Sequence, residues 1–297
     1  MNARLLLLCP GQGNQHEAMF DLARGDSRAA AFLAQCALPD GSLFDNGVAQ
    51  PAIVAATLAM WEALRERVPA PALVAGYSIG ELAAYGAAGA LAPLQAVELA
   101  RIRAQLMNGA AGATPAQALA ALGGLPLERM RALALAHRFE IAIVTAEDSC
   151  IAGGLLDALP ALERAMAAAG GRLQLLPVGI ASHTSLMAPA VAPFAAALEA
   201  APFDAQACPV LSGISAERIA GKERAVSQLS RQLAHTIEWS ACMDAAAEAG
   251  ITVALELGPG AALARMLQAR HPAIACRSAA EFRSLDGIAA WLQRHFD

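Results

Sequence analysis

The stretch Ala70-Pro71-Ala72-Leu73-Val74-Ala75-Gly76-Tyr77-Ser78-Ile79-Gly80-Glu81-Leu82-Ala83-Ala84-Tyr85 decides how the chain is read. Ala70 to Ala75 is a short apolar run and reads as a buried strand, and Gly80 to Ala90 continues as a helix. Between them Gly76-Tyr77-Ser78-Ile79-Gly80 has the Gly-x-Ser-x-Gly pattern of a strand-to-helix elbow. In such an elbow the serine sits on a strained bend, so the residues two positions to either side must be small. Its hydroxyl faces the cleft. The next amide, Ile79 N–H, lies at the start of the helix, where it can hold a developing oxyanion. Ser78 is therefore the candidate nucleophile of an acyl-transferring enzyme. An ordinary glycine-rich turn shows the same five letters; the strand before and the helix after separate the two readings.

Working outward, Arg4 to Cys9 reads as a second buried strand, followed by the turn Pro10-Gly11-Gln12-Gly13-Asn14-Gln15. Parallel strands end at the same edge of a sheet, so this turn should lie near the elbow, with the Gln12 backbone N–H as second oxyanion donor. A phosphate-cradling loop is the competing reading. Neither Gly-x-x-x-x-Gly-Lys nor a complete Gly-x-Gly-x-x-Gly fingerprint is present. Gln50-Pro51 opens a long apolar helix to about Arg67, with Pro51 in its first turn, and Leu94 to Ala110 forms another. Pro209 to Ser212 and Thr252 to Leu257 read as further core strands. Strands alternating with helices indicate an α/β fold with a parallel, α/β-hydrolase-like sheet. From about Thr114 to Pro177 the pattern changes: helix Pro126 to Arg138, strand Phe139 to Thr145, strand Cys150 to Ala152, helix Ala158 to Ala169, strand Arg172 to Val178. The expected organisation is a large catalytic domain from 1–113 and 181–297, with 114–180 as a small ferredoxin-like α+β unit.

Composition narrows the function classes. The 297 residues are 57% hydrophobic and 16% charged, which suits a globular enzyme and excludes a disordered chain. Aromatic residues at 4% and a net charge of -5 argue against nucleic acid as a partner. The six cysteines are scattered without a Cys-x-x-Cys pair, so neither a metal site nor a disulfide framework is indicated. Leu5 to Leu8 is too short for a signal sequence and runs into Pro10-Gly11. The expectation is a cytoplasmic protein without a membrane span.

Arg103 stands out on its helix. Gln95, Glu98, Arg101, Gln105 and Asn108 share a polar face, whereas Arg103 lies among Ala96, Leu99, Leu106, Met107 and Ala110. A guanidinium there needs a partner. A protein carboxylate, snorkelling to the surface and a bound ligand are equally open on this ground alone.

Taken together, these motifs resemble the malonyl-CoA:acyl-carrier-protein transacylase family. The likeness runs through Gly11-Gln12-Gly13-Asn14-Gln15, Gln50-Pro51-Ala52, Gly76-Tyr77-Ser78-Ile79-Gly80-Glu81, Arg103-Ala104-Gln105-Leu106-Met107, Ser182-His183, Arg231-Gln232-Leu233 and Glu256-Leu257-Gly258-Pro259-Gly260. The resemblance implies that His183 is the base, chosen over His16, His137, His235, His271 and His295. It implies that the Gln232 backbone carbonyl orients His183, that Arg103 clamps the malonyl carboxylate, and that Gln12 and Ile79 form the oxyanion hole. No metal and no cofactor are implied; the partners are malonyl-CoA and an acyl carrier protein. Most of the family has His before the nucleophile, where this chain has Tyr77. Gly-Tyr-Ser resembles the branch serving malonate decarboxylase as its epsilon subunit, so the expected reaction is malonyl transfer to that carrier. The alternatives are a transacylase of fatty-acid or polyketide synthesis, or a serine thioesterase, which would require an acid residue; a non-catalytic docking subunit is a further rival.

Overall fold

The computed structural model describes residues 3–297. Its strands, in chain order, are β1 (Leu5–Cys9), β2 (Leu73–Gly76), β3 (Gln117–Gly123), β4 (Phe139–Ala146), β5 (Ser149–Leu155), β6 (Arg172–Leu175), β7 (Val210–Leu211), β8 (Arg218–Ile219), β9 (Ile237–Glu238), β10 (Val253–Glu256) and β11 (Ala275–Ser278). They form two sheets, one ordered β11-β10-β1-β2-β7-β8 and the other β6-β3-β5-β4-β9.

The first sheet is parallel from β11 through β7, and β8 returns antiparallel at the edge as a departure from the expected all-parallel sheet. Every residue of β1 and β2 is buried, as expected of central parallel strands covered on both faces. The register pairs Leu6 with Leu73 and Cys9 with Gly76, so both chains leave the sheet at the same edge. This register brings the Pro10 turn against the Ser78 elbow. The Gly258 turn after β10 packs beside them: a Cβ there would stand 2.2 Å from Pro10 Cγ.

The helix Asn46–Leu64 lines the core. It is long and apolar enough to cross a membrane, yet 89% of its apolar window is buried inside the fold, which marks it as a core helix. It begins before the expected start, and Pro51 lies inside it rather than in the first turn. Proline there removes the amide that Gly47 O would have received. The helix Pro93–Gly112, which carries Arg103, packs against it.

The second sheet corrects several boundaries. β3 was not anticipated, because Gln117-Ala118-Leu119-Ala120-Ala121-Leu122 is made of strong helix formers. Its place between β5 and β6, paired antiparallel with both, overrides that local preference. β5 is longer than expected, and β6 stops at Leu175 rather than continuing to Val178. His183 therefore follows an irregular segment, not a strand. The two-residue β9 comes from far along the chain and pairs parallel with β4, tying the 117–175 elements to the segment that carries Gln232.

Candidate active site

The elbow is built by close approach. A Cβ on Gly76 would lie 2.3 Å from the Glu81 amide nitrogen, and one on Gly80 would lie 2.1 Å from Cys9 O, so glycine is required on both sides of Ser78. Ser78 itself has φ of 55°, in the left-handed region that a non-glycine residue occupies only at a cost. Tyr77 N donates to Cys9 O at 2.9 Å, and Glu81 N to Ser78 O at 3.0 Å, which holds the bend between β1 and the helix Gly80–Ala87.

His183 meets this hydroxyl from the opposite wall. Ser78 Oγ and His183 Nε2 are 2.8 Å apart, and His183 Nδ1 lies 2.6 Å from Gln232 O. A carbonyl only accepts, so Nδ1 carries the proton, Nε2 is left bare, and the serine O–H donates to it. His183 is also left-handed, with φ of 63°, and its own amide donates to Leu233 O at 2.8 Å. Burial pushes the imidazole pKa down to about 3, the nearby Arg103 charge adds to the shift, and the Gln232 carbonyl opposes it. The ring is thus held neutral, which is the form a general base needs.

The two oxyanion candidates lie at this spot. A Cβ on Gly11 would stand 2.8 Å from Tyr77 O and 3.6 Å from Ser78 Cβ, so the turn carrying Gln12 abuts the elbow. Among the described residues, neither Ile79 N nor Gln12 N donates to a protein acceptor. Gln12 also lines a cavity of about 510 Å³ with Phe44, Asn46, Asn108, Val178 and Ile180. A slightly larger cavity of about 560 Å³, against Gly123, Gly171 and Arg172, contains none of these groups.

Arg103 is 2% exposed and is held by two neutral amides: Nη1 donates to Gln50 Oε1 at 2.7 Å and Nη2 to Gln232 Oε1 at 3.1 Å. Burial pushes its pKa down to about 10, with Glu81 opposing, so it stays charged. A guanidinium has five N–H donors, and these bonds use two. Gln50 Nε2 in turn donates to Asn46 Oδ1 at 2.6 Å, and Asn46 Nδ2 to Asn108 Oδ1 at 2.9 Å, a polar relay from the cavity wall to Arg103.

The remaining candidates lie elsewhere. His16 is exposed at the start of a short helical turn. His271, passed over as the base, is half-buried and paired with Asp244 at 2.8 Å, because Arg270 draws that carboxylate onto the same helix end. No carboxylate takes the Nδ1 position of His183, which Gln232 O occupies. Tyr77 packs edge-on against Trp239 at 5.3 Å, in the apolar cluster on the second face of the first sheet. Among the described residues no group of three His, Cys, Asp or Glu side chains is placed to hold a metal. Sequence reading passed over the side chains of Gln50, Gln232 and Glu81. The one available signal was polar: Gln50 and Thr57 are the buried polar residues of an otherwise apolar helix run.

Residues 37–281 match the family described as acyl transferase domain. The chain is 30% identical over 303 residues to the malonyl CoA-acyl carrier protein transacylase of Mycobacterium tuberculosis, covering 96% of this chain and 99% of that one. With the transacylase of the same name from Escherichia coli it shares 29% identity over 221 residues, covering 72% and 71%. The crystal structure of FabD from Acinetobacter baumannii superposes with a TM-score of 0.91 at 25% identity over 99% of both chains. A polyketide-synthase malonyl-transacylase in complex with its acyl carrier protein superposes at 0.86 with 26% identity, covering 97% of this chain and 99% of that one.

The depressed His183 pKa carries a stability consequence of definite sign. Between the ordinary histidine value near 6.5 and about 3, the unfolded chain binds a proton that the folded chain does not. The contribution is intact above about pH 6.5 and falls as pH drops, by up to about 1.4 kcal/mol per pH unit. Glu81 and Glu256, both raised to about 7 by burial, act in the opposite sense, so the comparison is with His183→Gln. Urea midpoints from pH 7 to pH 4.5 should fall more steeply for the native chain than for the variant; parallel curves would contradict the assignment.

Proposed function

Because the chain belongs to the acyl transferase domain family and is an enzyme of the malonyl-CoA:acyl-carrier-protein transacylase kind, we propose that it moves malonyl between two thiols through an ester on Ser78. The observation that carries this reading is the line Ser78 Oγ, His183 Nε2, His183 Nδ1, Gln232 O, with contacts of 2.8 and 2.6 Å. His183 takes the Ser78 proton as the oxygen attacks the thioester carbonyl. The amides of Ile79 and Gln12 hold the tetrahedral oxyanion. On collapse the carbon–sulfur bond breaks, and the proton on Nε2 passes to the departing CoA sulfur. In the second half His183 deprotonates the carrier thiol, whose sulfur attacks the ester; the Ser78 oxygen leaves and recovers its proton. A carbonyl suffices to orient His183, because the step needs only the tautomer to be fixed.

Arg103 receives the malonyl carboxylate. Its unused N–H donors and its setting among neutral amides support this role, since an arginine already neutralised by a protein carboxylate would offer less to a substrate. The cavity against Gln12 and Phe44 is of the size of a small-molecule site, and in this reading it receives the pantetheine arm of donor and acceptor beside the turn that abuts the elbow. The β-α-β-β-α-β order and the strand order β6-β3-β5-β4 support reading 114–180 as a ferredoxin-like unit set into a body formed by 1–113 and 181–297.

An ordinary acyl carrier protein is the better-supported acceptor, because the relatives and the superposed complex bear that partner in their names. The malonate decarboxylase reading rests on Tyr77 alone and is carried second. The packing of Tyr77 on Trp239 accounts for that residue without invoking a different carrier. A serine thioesterase with an acid in its triad fits less well, since Asp244 serves His271.

Two experiments test the proposal. Labelled malonyl-CoA mixed with the enzyme in the absence of carrier should leave about one label per chain on the peptide containing Ser78. Ser78→Ala should leave none, and labelling that persists in the variant would reject the nucleophile. Offered a phosphopantetheine carrier and a malonate decarboxylase carrier separately, the enzyme should transfer malonyl faster to the first; the reverse order would restore the epsilon-subunit reading.

A further inference from the structure

We propose that Glu81 is a positioning residue for acyl selectivity: it dictates which way the Gln232 amide points, and through that amide it holds the Arg103 guanidinium in place. This rests on the reading of Arg103 as the malonyl clamp.

Glu81 is fully buried in the first turn of the helix after the elbow. Its Oε2 accepts from Gln232 Nε2 at 2.5 Å and from Gly213 N at 3.0 Å, while Oε1 is buried with no hydrogen-bond partner. A carboxylate buried at such cost is retained where it performs a task. Gln232 is the hub beside it. Its Nε2 also donates to Ser78 O at 3.2 Å, its Oε1 accepts from Arg103 Nη2 at 3.1 Å, and its backbone carbonyl holds His183.

The orientation of an amide side chain is decided by its partners. With Nε2 toward Glu81 and Ser78 O, every contact pairs a donor with an acceptor. Reversed, the Gln232 oxygen would face two acceptors and its NH₂ would face the guanidinium donors, so both ends would repel. Glu81 thus joins Ser78 O in supplying the acceptors that favour one orientation, and its closer contact with Nε2 fixes the amide so that Arg103 receives the oxygen. The alternative, in which Glu81 only braces the Gly213 amide and the elbow, predicts equal losses for every acyl group.

Glu81→Gln is the isosteric test, because its own amide can turn to suit either orientation of Gln232. With malonyl-CoA and acetyl-CoA offered to the full-length enzyme and an acyl carrier protein, Arg103→Ala should lower the malonyl-over-acetyl ratio of kcat/KM roughly ten- to hundredfold. Glu81→Gln should lower it about tenfold, through a raised KM for malonyl-CoA, and should lower it no further when Arg103→Ala is already present. Gln232→Met, which removes the amide and keeps the backbone carbonyl used by His183, should lower the ratio in the same way and provides the test if Glu81→Gln does not fold. An unchanged ratio in a folded Glu81→Gln or Gln232→Met chain, or equal losses with both acyl groups, would overturn the role of Glu81 alone. An unchanged ratio in Arg103→Ala would overturn the clamp as well.

Discussion

A main-chain carbonyl decides the chemistry of this site. Gln232 O can only accept a hydrogen bond, so at 2.6 Å it obliges His183 Nδ1 to carry the proton and leaves Nε2 free for the Ser78 hydroxyl. Burial then keeps the ring uncharged, because a buried imidazolium would lie beside the Arg103 guanidinium. An acid residue would hold the same tautomer but would also favour the imidazolium. The carbonyl favours it more weakly, which suits the proposed role of His183 as a base that accepts a proton and returns it within each half-reaction.

That arrangement depends on two strained residues meeting. Ser78 at φ 55° and His183 at φ 63° both stand in the left-handed region, on opposite walls. The parallel register of β1 and β2 sets one wall, and the absence of a side chain on Gly76 and Gly80 allows the helix start to press against Cys9 O. The other wall is set by the segment around Gln232, which is anchored to β4 through the short strand β9. The second sheet is therefore linked directly to the segment that orients the histidine.

The elbow was legible in the sequence because its constraint is local: strand, small residue, serine, small residue, helix. The parallel core was legible from unbroken apolar runs such as Leu5 to Leu8. Arg103 announced itself as a charge on an apolar helix face. His183 needed the family likeness, since a lone histidine has no pattern, and the irregular segment before it hid from periodicity. β3 was hidden by its alanines and leucines, whose strand conformation is imposed by neighbours on both sides. The network of Glu81, Gln232 and Arg103 was out of reach for a different reason. Its members are far apart in the chain, and only the folded backbone shows that one amide joins the Ser78 carbonyl to the buried guanidinium.

The protonation state of His183 is the point on which everything turns, and ring nitrogen NMR of the ¹⁵N-histidine-labelled enzyme reads it directly. His183 should show a protonated Nδ1 and a bare Nε2, unchanged from pH 8 down to about pH 5, as a pKa near 3 requires. A ring that titrates near 6.5, or one that carries its proton on Nε2, would contradict the arrangement described here.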